Sequence, residues 1–388
     1  MPLAAASAGS SGAVRSVGVG APMSDAVRSL AWTTLIERAS DALPRPRGVA
    51  RYRRRDFLHD NRVAVAASLD VNAAFPGSGL FVDPVTGASL LVTAGVRPQA
   101  RSGAAADVVV AGAMRTVEQL RFRSFYLADG RSRSLVVHQR SAPAVATPLV
   151  AGARLQSTLF DTTPFVVPRV LETGYADRVS ADWVVEETLD GAPVAAADAE
   201  ATVGAMIGLL AQWWESLGTE QAPLGAAQRT RALTAFADLT DDPPDGVWAA
   251  DLDRELTSRR VRELLTDERP LTIGLSHGDP GIGNVLRLRD GRLALVDWED
   301  AGHRPVAHDV VKALMSAPDP VALAAALEEP ALVAGGAMPW RSQVAVALLL
   351  FMSGWRNRYF RAVKRKSIVA GTRRLRTQLH VVATLLDP

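Results

Sequence analysis

The chain has 388 residues, 48% of them hydrophobic, enough for a sizeable core in two or three packed units. It contains no cysteine, which excludes disulfides and thiolate metal sites, and its formal charge is only +2. No apolar run reaches the roughly 18 residues that span a bilayer, so a soluble, cytoplasmic protein without a membrane span is expected.

Residues 1–22 are rich in Ala, Gly and Ser and lack the continuous apolar stretch of a secretory signal. They read as a disordered leader, with Met23 as an alternative start; an arginine without acids would also suit an organelle transit peptide. Residues 23–104 form an extension whose role is not legible. It holds a helix over 23–43, closed by Pro44-Arg45-Pro46-Arg47-Gly48, a basic stretch from Arg51 to Arg55, and short apolar runs broken by Gly and Pro.

From residue 105 to 191 the pattern changes to short strands. Leu120–Leu127 and Arg133–Arg140 flank an Asp129-Gly130 turn, and a helical stretch follows over Thr147–Phe160. A strand entered through prolines covers Pro164–Leu171, and Trp183–Gly191 runs apolar, then acidic, to a glycine. Residues 192–388 turn helical. Val203, Met206, Ile207, Leu210, Trp213 and Trp214 form an amphipathic stripe on Ala199–Leu217. Trp213-Trp214 could stack a substrate ring, but tryptophans on such a stripe more often pack in a core. Acidic, Pro-containing loops around Asp238–Asp245 lead to a helix over Asp251–Leu265, and Val344–Met352 has the length of a buried helix.

The richest segment is Ser276-His277-Gly278-Asp279-Pro280-Gly281-Ile282-Gly283-Asn284, continuing through Val285 to Asp297-Trp298-Glu299. Asp290-Gly291 between alternating apolar runs predicts a hairpin with a two-residue turn. In that register Leu288 faces Leu293, Leu286 faces Leu295 and Asn284 faces Asp297, with the four leucines on one buried face. An amide oxygen and a carboxylate then lie opposite one another, and Asp279 stands five residues upstream in a Gly/Pro-rich loop. Such a pair with several waters is a normal Mg²⁺ arrangement, completed by phosphate oxygens. A further carboxylate beside it suits a base that orients a hydroxyl for phosphoryl transfer. Any one of these patterns alone is common in surface turns; here spacing, register and the Asp-Trp-Glu end agree.

On these residues the chain resembles the aminoglycoside phosphotransferase and choline kinase family, relatives of the protein kinases. The resemblance covers about residues 105–320. It implies a bilobal α+β fold, with a small, mostly antiparallel sheet lobe, a hinge and a helical large lobe. It implies Asp279 as catalytic base, Asn284 and Asp297 as Mg²⁺ ligands, His277 as a brace of the loop and Asp309 as a helix-start or loop anchor. Glu186, Glu187 and Leu189 fall in the hinge that would hold the base of ATP or GTP.

The chain departs from that family at the phosphate clamp. Its three lysines, Lys312, Lys364 and Lys366, all follow the catalytic loop, so no small-lobe lysine can grip the phosphates. Arg140 and then His138 are the candidates to replace it, two apart on one strand face. No acid occurs in 141–160 to supply the partner glutamate, Gln156 being the nearest polar substitute, and Gly112 is an isolated remnant of a Gly-rich loop.

Between Pro330 and Leu386 there is no acid but ten arginines and lysines. A solvated helix face is one reading; an anionic surface or an anionic substrate is the other, and no nucleic-acid partner is expected. A polycationic acceptor fits such a tail poorly; a sugar, amino alcohol or phosphate-bearing metabolite fits better. The sequence therefore predicts a nucleotide-dependent phosphotransferase acting on a small-molecule hydroxyl. The alternatives are a pseudokinase that senses nucleotide or binds protein, and an enzyme that transfers a nucleotidyl group.

Overall fold

The computed structural model describes residues 79–82, 89–93, 108–112, 121–128, 131–176, 181–187, 189, 191–364 and 366–387. The leader, the helix expected over 23–43, the basic stretch from Arg51 and the Asp129-Gly130 turn lie outside them. The chain divides into two compact units, Met1–Leu127 and Ala128–Pro388. In the first, β1 (Gly79–Val82) pairs antiparallel with β2 (Ser89–Thr93), and β2 runs parallel to β3 (Val108–Gly112). β4 (Arg121–Ala128) lies antiparallel to β3, where Gly112 is the last residue.

The second unit opens with β5 (Arg131–Gln139), β6 (Val170–Ala176) and β7 (Ala181–Glu187), with β7 antiparallel to both others. Between β5 and β6 runs α1 (Pro148–Leu159), started by a proline at its first turn, where a missing N–H costs nothing. The strand expected over 164–171 begins only at Val170. Pro164 and Pro168 have no N–H for a ladder, and Val166 instead makes an isolated parallel bridge to Ala294.

α2 (Ala199–Leu217) has the predicted bounds and buries Val203, Met206, Leu210, Trp213 and Trp214, so the tryptophan pair is core. α3 (Ala226–Asp241) corrects the expected loop at its acidic end. Ala232, Phe236 and Leu239 recur at helical spacing and are buried, and Asp238 and Asp241 are the solvated end of the same helix. α4 (Arg254–Thr266) starts at Asp253, whose carboxylate accepts from the Leu256 N–H at 2.8 Å.

Two small sheets carry the loops. β10 (Leu271–Ser276) lies between β9 (Glu220–Ala222) and β13 (Gly302–Pro305), and β11 (Val285–Leu288) lies between β8 (Gly191–Pro193) and β12 (Leu293–Leu295). Five helices complete the unit: α5 (Ala307–Leu314), α6 (Pro320–Ala325), α7 (Trp340–Met352), α8 (Trp355–Lys364) and α9 (Ile368–Leu386). Residues 344–349 of α7 are buried, as its apolar run predicted. Among the described residues no helix is long and apolar enough to cross a membrane. The α+β class expected from the sequence holds.

The hairpin forms, but in a register one residue away from the predicted one. Val285 faces Leu295, Leu286 faces Ala294 and Arg287 faces Leu293. The connection is a three-residue loop: the Gly291 N–H donates to the Leu288 carbonyl, and the Leu288 N–H donates to Arg292. Gly291 takes φ +86°, whereas Asp290 stays out of the left-handed region, so the double left-handed turn that Asp-Gly suggested is not made. The Asp290 carboxylate instead accepts from the Arg292 N–H at 3.0 Å and pairs with its guanidinium. The slip divides the four leucines: Leu293 and Leu295 join the main core with Val285, while Leu286 and Leu288 face the other way.

Candidate active site

β10 ends at Ser276, and the loop from His277 is held by Asp309 at the start of α5. This carboxylate is fully buried and accepts the N–H groups of His277 at 2.6 Å and Gly278 at 2.8 Å. These two bonds tie the loop to α5. Gly278, at φ +90°, passes so close to the Asp300 carbonyl that a Cβ would lie 2.2 Å from it. Only glycine fits there.

The His277 ring is buried against Trp298, 4.6 Å between centroids. Its Nδ1 accepts from the Asp279 N–H at 3.2 Å, so Nε2 carries the proton and donates to the Val296 carbonyl at 3.1 Å. Burial holds its pKa below the ordinary histidine value, outweighing the attraction of Asp309, Asp297 and Asp279. A neutral imidazole with both nitrogens engaged braces the loop. Beneath it Phe165, Trp213 and Trp298 form one aromatic cluster, with centroids 5.5 to 6.0 Å apart. Each buried ring removes on the order of 150–250 Å² from water, several kcal/mol apiece before ordering costs.

Asp279 stands between two partners. Lys312 Nζ lies 3.1 Å from its Oδ1, while Asn284 donates its Nδ2 to the Asp279 carbonyl at 2.8 Å and faces Oδ2 at 3.5 Å. The side chain is 45% exposed and so open to an incoming molecule. Sequence reasoning named Lys312 only as a lysine too late in the chain to serve the small lobe. Its spacing from Asp309, three residues along α5, puts it beside the loop that Asp309 anchors.

Asn284 ends a short turn, and its backbone carbonyl accepts from the Val296 N–H rather than facing Asp297. Asp297 takes a left-handed conformation, φ 72° and ψ 61°, which turns the chain out of β12 into the Trp298–Asp300 turn. Its carboxylate accepts no hydrogen bond from the described residues, and the Asn284 nitrogen is already engaged, which leaves Oδ1 as that side chain's acceptor. Two hard oxygen donors suit Mg²⁺. No set of three or more His, Cys, Asp or Glu that could hold a metal converges among the described residues.

The side chains expected at the phosphates have other neighbours. Arg140 forks onto Asp182 Oδ1 through Nε at 2.9 Å and Nη2 at 2.6 Å, and its guanidinium lies 4.0 Å above the Tyr175 ring. Burial opposes the charge of Asp182, but the bonds from Arg140 and the Thr147 N–H prevail and hold its carboxyl below the usual range. His138 Nδ1 instead reaches Glu299 Oε2 at 3.3 Å, so β5 meets the Trp298–Asp300 turn through a largely buried pair. Gln156 of α1, the expected glutamate substitute, donates to Glu186 at 3.2 Å and to the Pro168 carbonyl at 2.7 Å. In the expected hinge Glu186 is thereby buried inside β7, the Glu187 N–H is bonded to Arg169, and the Leu189 carbonyl accepts from Gly191.

Residues 115–340 match the profile of the phosphotransferase enzyme family. Similar solved structures include an apo thermostable mutant of aminoglycoside phosphotransferase APH(4)-Ia, 15% identical, covering 71% of this chain and 94% of that one with a TM-score of 0.45. The GDP complex of aminoglycoside 2'-phosphotransferase-IIIa is 16% identical, over 70% and 92% of the two chains, with a TM-score of 0.47. Choline kinase LicA from Streptococcus pneumoniae is 11% identical, over 69% and 91%, with a TM-score of 0.39. No curated protein matches the chain in sequence.

Proposed function

The chain belongs to the phosphotransferase enzyme family, and from that premise we propose that it transfers the γ-phosphate of ATP or GTP to a hydroxyl of a small molecule. The observation that carries this reading is the placing of one exposed carboxylate, Asp279, between the Asn284 amide and the Lys312 ammonium. Asp279 would accept the proton of the acceptor hydroxyl and aim its oxygen at the phosphorus. Lys312 would hold the carboxylate in one orientation through its 3.1 Å contact. Asn284 Oδ1 and the Asp297 carboxylate would hold Mg²⁺, which when bound neutralises phosphate charge. Positioning of this kind supplies most of the catalysis in phosphoryl transfer.

The nucleotide base would lie against the backbone near Glu187–Gly191, and the phosphates toward β5. There His138, joined to Glu299, is nearer the Asp297 turn than Arg140, which Asp182 engages. A screen of small hydroxyl compounds for stimulated ATP or GTP consumption tests the proposal, with Asp279→Asn as the control that should be silent.

A second reading, a nucleotide-sensing pseudokinase, draws on the same substitution of the clamp. Mg-nucleotide binding without turnover on any hydroxyl compound would favour it.

A further inference from the structure

Among the described residues, several basic side chains near the C-terminus make specific contacts. Arg341 bonds the Ala325 carbonyl, Arg356 pairs with Asp238, and Arg376 caps the Gly246 carbonyl. These join helices and loops. Two others, Arg358 and Arg374, gather elsewhere with Lys312 of α5, around the ring of Phe351 on α7. Arg358 of α8 lies 4.5 Å from its centroid, Lys312 Nζ 5.4 Å and Arg374 of α9 5.9 Å. Arg361 follows Arg358 by three residues on α8, on the same side of the helix.

This gathering is costly and unbalanced. No carboxylate of the described residues lies within ion-pair distance of Arg358, Arg361 or Arg374, and the single acid at the cluster is Asp279, through Lys312. Cation–π contact with Phe351 offsets part of the repulsion. Burial, and then the neighbouring Arg374 and Arg361, pull the Arg358 pKa below its ordinary value, while its Nη2 donates to the Phe351 carbonyl. Three cations around one ring, with a single carboxylate beside them, present guanidinium forks suited to a carboxylate or phosphate.

The place of the cluster decides what the anion belongs to. Asn284 faces Oδ2 of Asp279 and Lys312 faces Oδ1, so the cluster lies beyond the oxygen turned from the proposed metal ligands. From Asp279 the path to the Phe351 ring is one step of 3.1 Å and one of 5.4 Å, the span of a short carbon chain. Resting on the phosphotransferase reading, we infer that the acceptor is a hydroxyl compound bearing an anionic group, carboxylate or phosphate, which Arg358 and Arg374 hold while Asp279 takes the hydroxyl.

Three matched acceptors test this: glycerol, glycerate and glycerol phosphate, with choline as a cationic contrast, each at saturating Mg-nucleotide. The charged acids should be used at least about tenfold better in kcat/KM than glycerol or choline, the scale of one charge-assisted contact. The glycerate and glycerol phosphate arms distinguish carboxylate from phosphate. Arg374→Gln, at an exposed position that folding tolerates, and Arg358→Gln should raise the KM of the acid acceptor about tenfold. Transfer to glycerol or choline at equal or better efficiency, insensitive to both variants, overturns the inference and leaves phosphotransfer standing. A rise in nucleotide KM with acceptor KM unchanged also overturns it, by assigning the cluster to the nucleotide. Absence of both turnover and nucleotide binding would instead defeat the phosphotransferase reading beneath it.

Discussion

Lys312 Nζ lies 3.1 Å from Asp279 Oδ1, joining the last turn of α5 to the loop that follows β10. The pair is partly exposed, so its worth to folding is small, on the order of 1 kcal/mol or less. Its value lies in orientation. Lys312→Met is expected to lower kcat about tenfold while the thermal midpoint moves by no more than a few degrees, consistent with a positioning contact. Steady-state kinetics beside a melting curve checks it, and an unchanged kcat removes Lys312 from the account.

Arg140→Ala should act on folding before it acts on nucleotide. The variant strands Asp182, 1% exposed, and removing one partner of such a buried pair costs about 3–5 kcal/mol. Urea denaturation and calorimetric titration with Mg-nucleotide separate the two effects. A tenfold loss of nucleotide affinity at unchanged stability would restore Arg140 to the phosphates.

Gly152→Val should be strongly destabilising. A Cβ at Gly152 would lie 2.4 Å from the Trp298 carbonyl, with backbone rather than a movable side chain in its way. The expected loss is about 2 kcal/mol or more, read as a fall in denaturation midpoint. Wild-type stability would mean that α1 does not pack on the Trp298–Asp300 turn.

His277 gives a pH signature. Its pKa is lowered in the folded state, chiefly by burial, so between the ordinary value of about 6.5 and that lower value only the unfolded chain takes the proton. Stability is fully present above about pH 6.5 and falls as the solution is acidified through that window. Asp182, whose pKa is also lowered, loses its contribution only in stronger acid, below the ordinary carboxylate range. Urea melts at pH 7.5 and 5.5 should differ in wild type and differ less in His277→Gln. Equal slopes in both proteins would contradict the assignment.

Much of the architecture was legible because periodicity reports burial directly. The stripe on Ala199–Leu217 gave its helix to the residue, and the His277–Asn284 spacing marked the loop. Two failures have one cause, local chemistry overriding a pattern. Asp290-Gly291 promised a two-residue turn, but the Asp290 side chain bonds the Arg292 N–H and a three-residue loop wins. Asp238–Asp241 looked like loop because their charge hid three buried residues, Ala232, Phe236 and Leu239, at helical spacing on the same helix. Long-range pairs were not legible at all. Nothing local in β5 says that Arg140 meets Asp182 or that His138 meets Glu299, since only the packed fold brings those positions together.

The most direct measurement follows labelled γ-phosphate from Mg-nucleotide to acceptor in wild type and Asp279→Asn, with folding of both verified by their melting curves. Wild type should form a phosphorylated product, and the variant should bind nucleotide with similar affinity yet lose on the order of 10² or more in turnover. Equal transfer by the variant would contradict the assignment of Asp279, and with it the chemistry proposed for this fold.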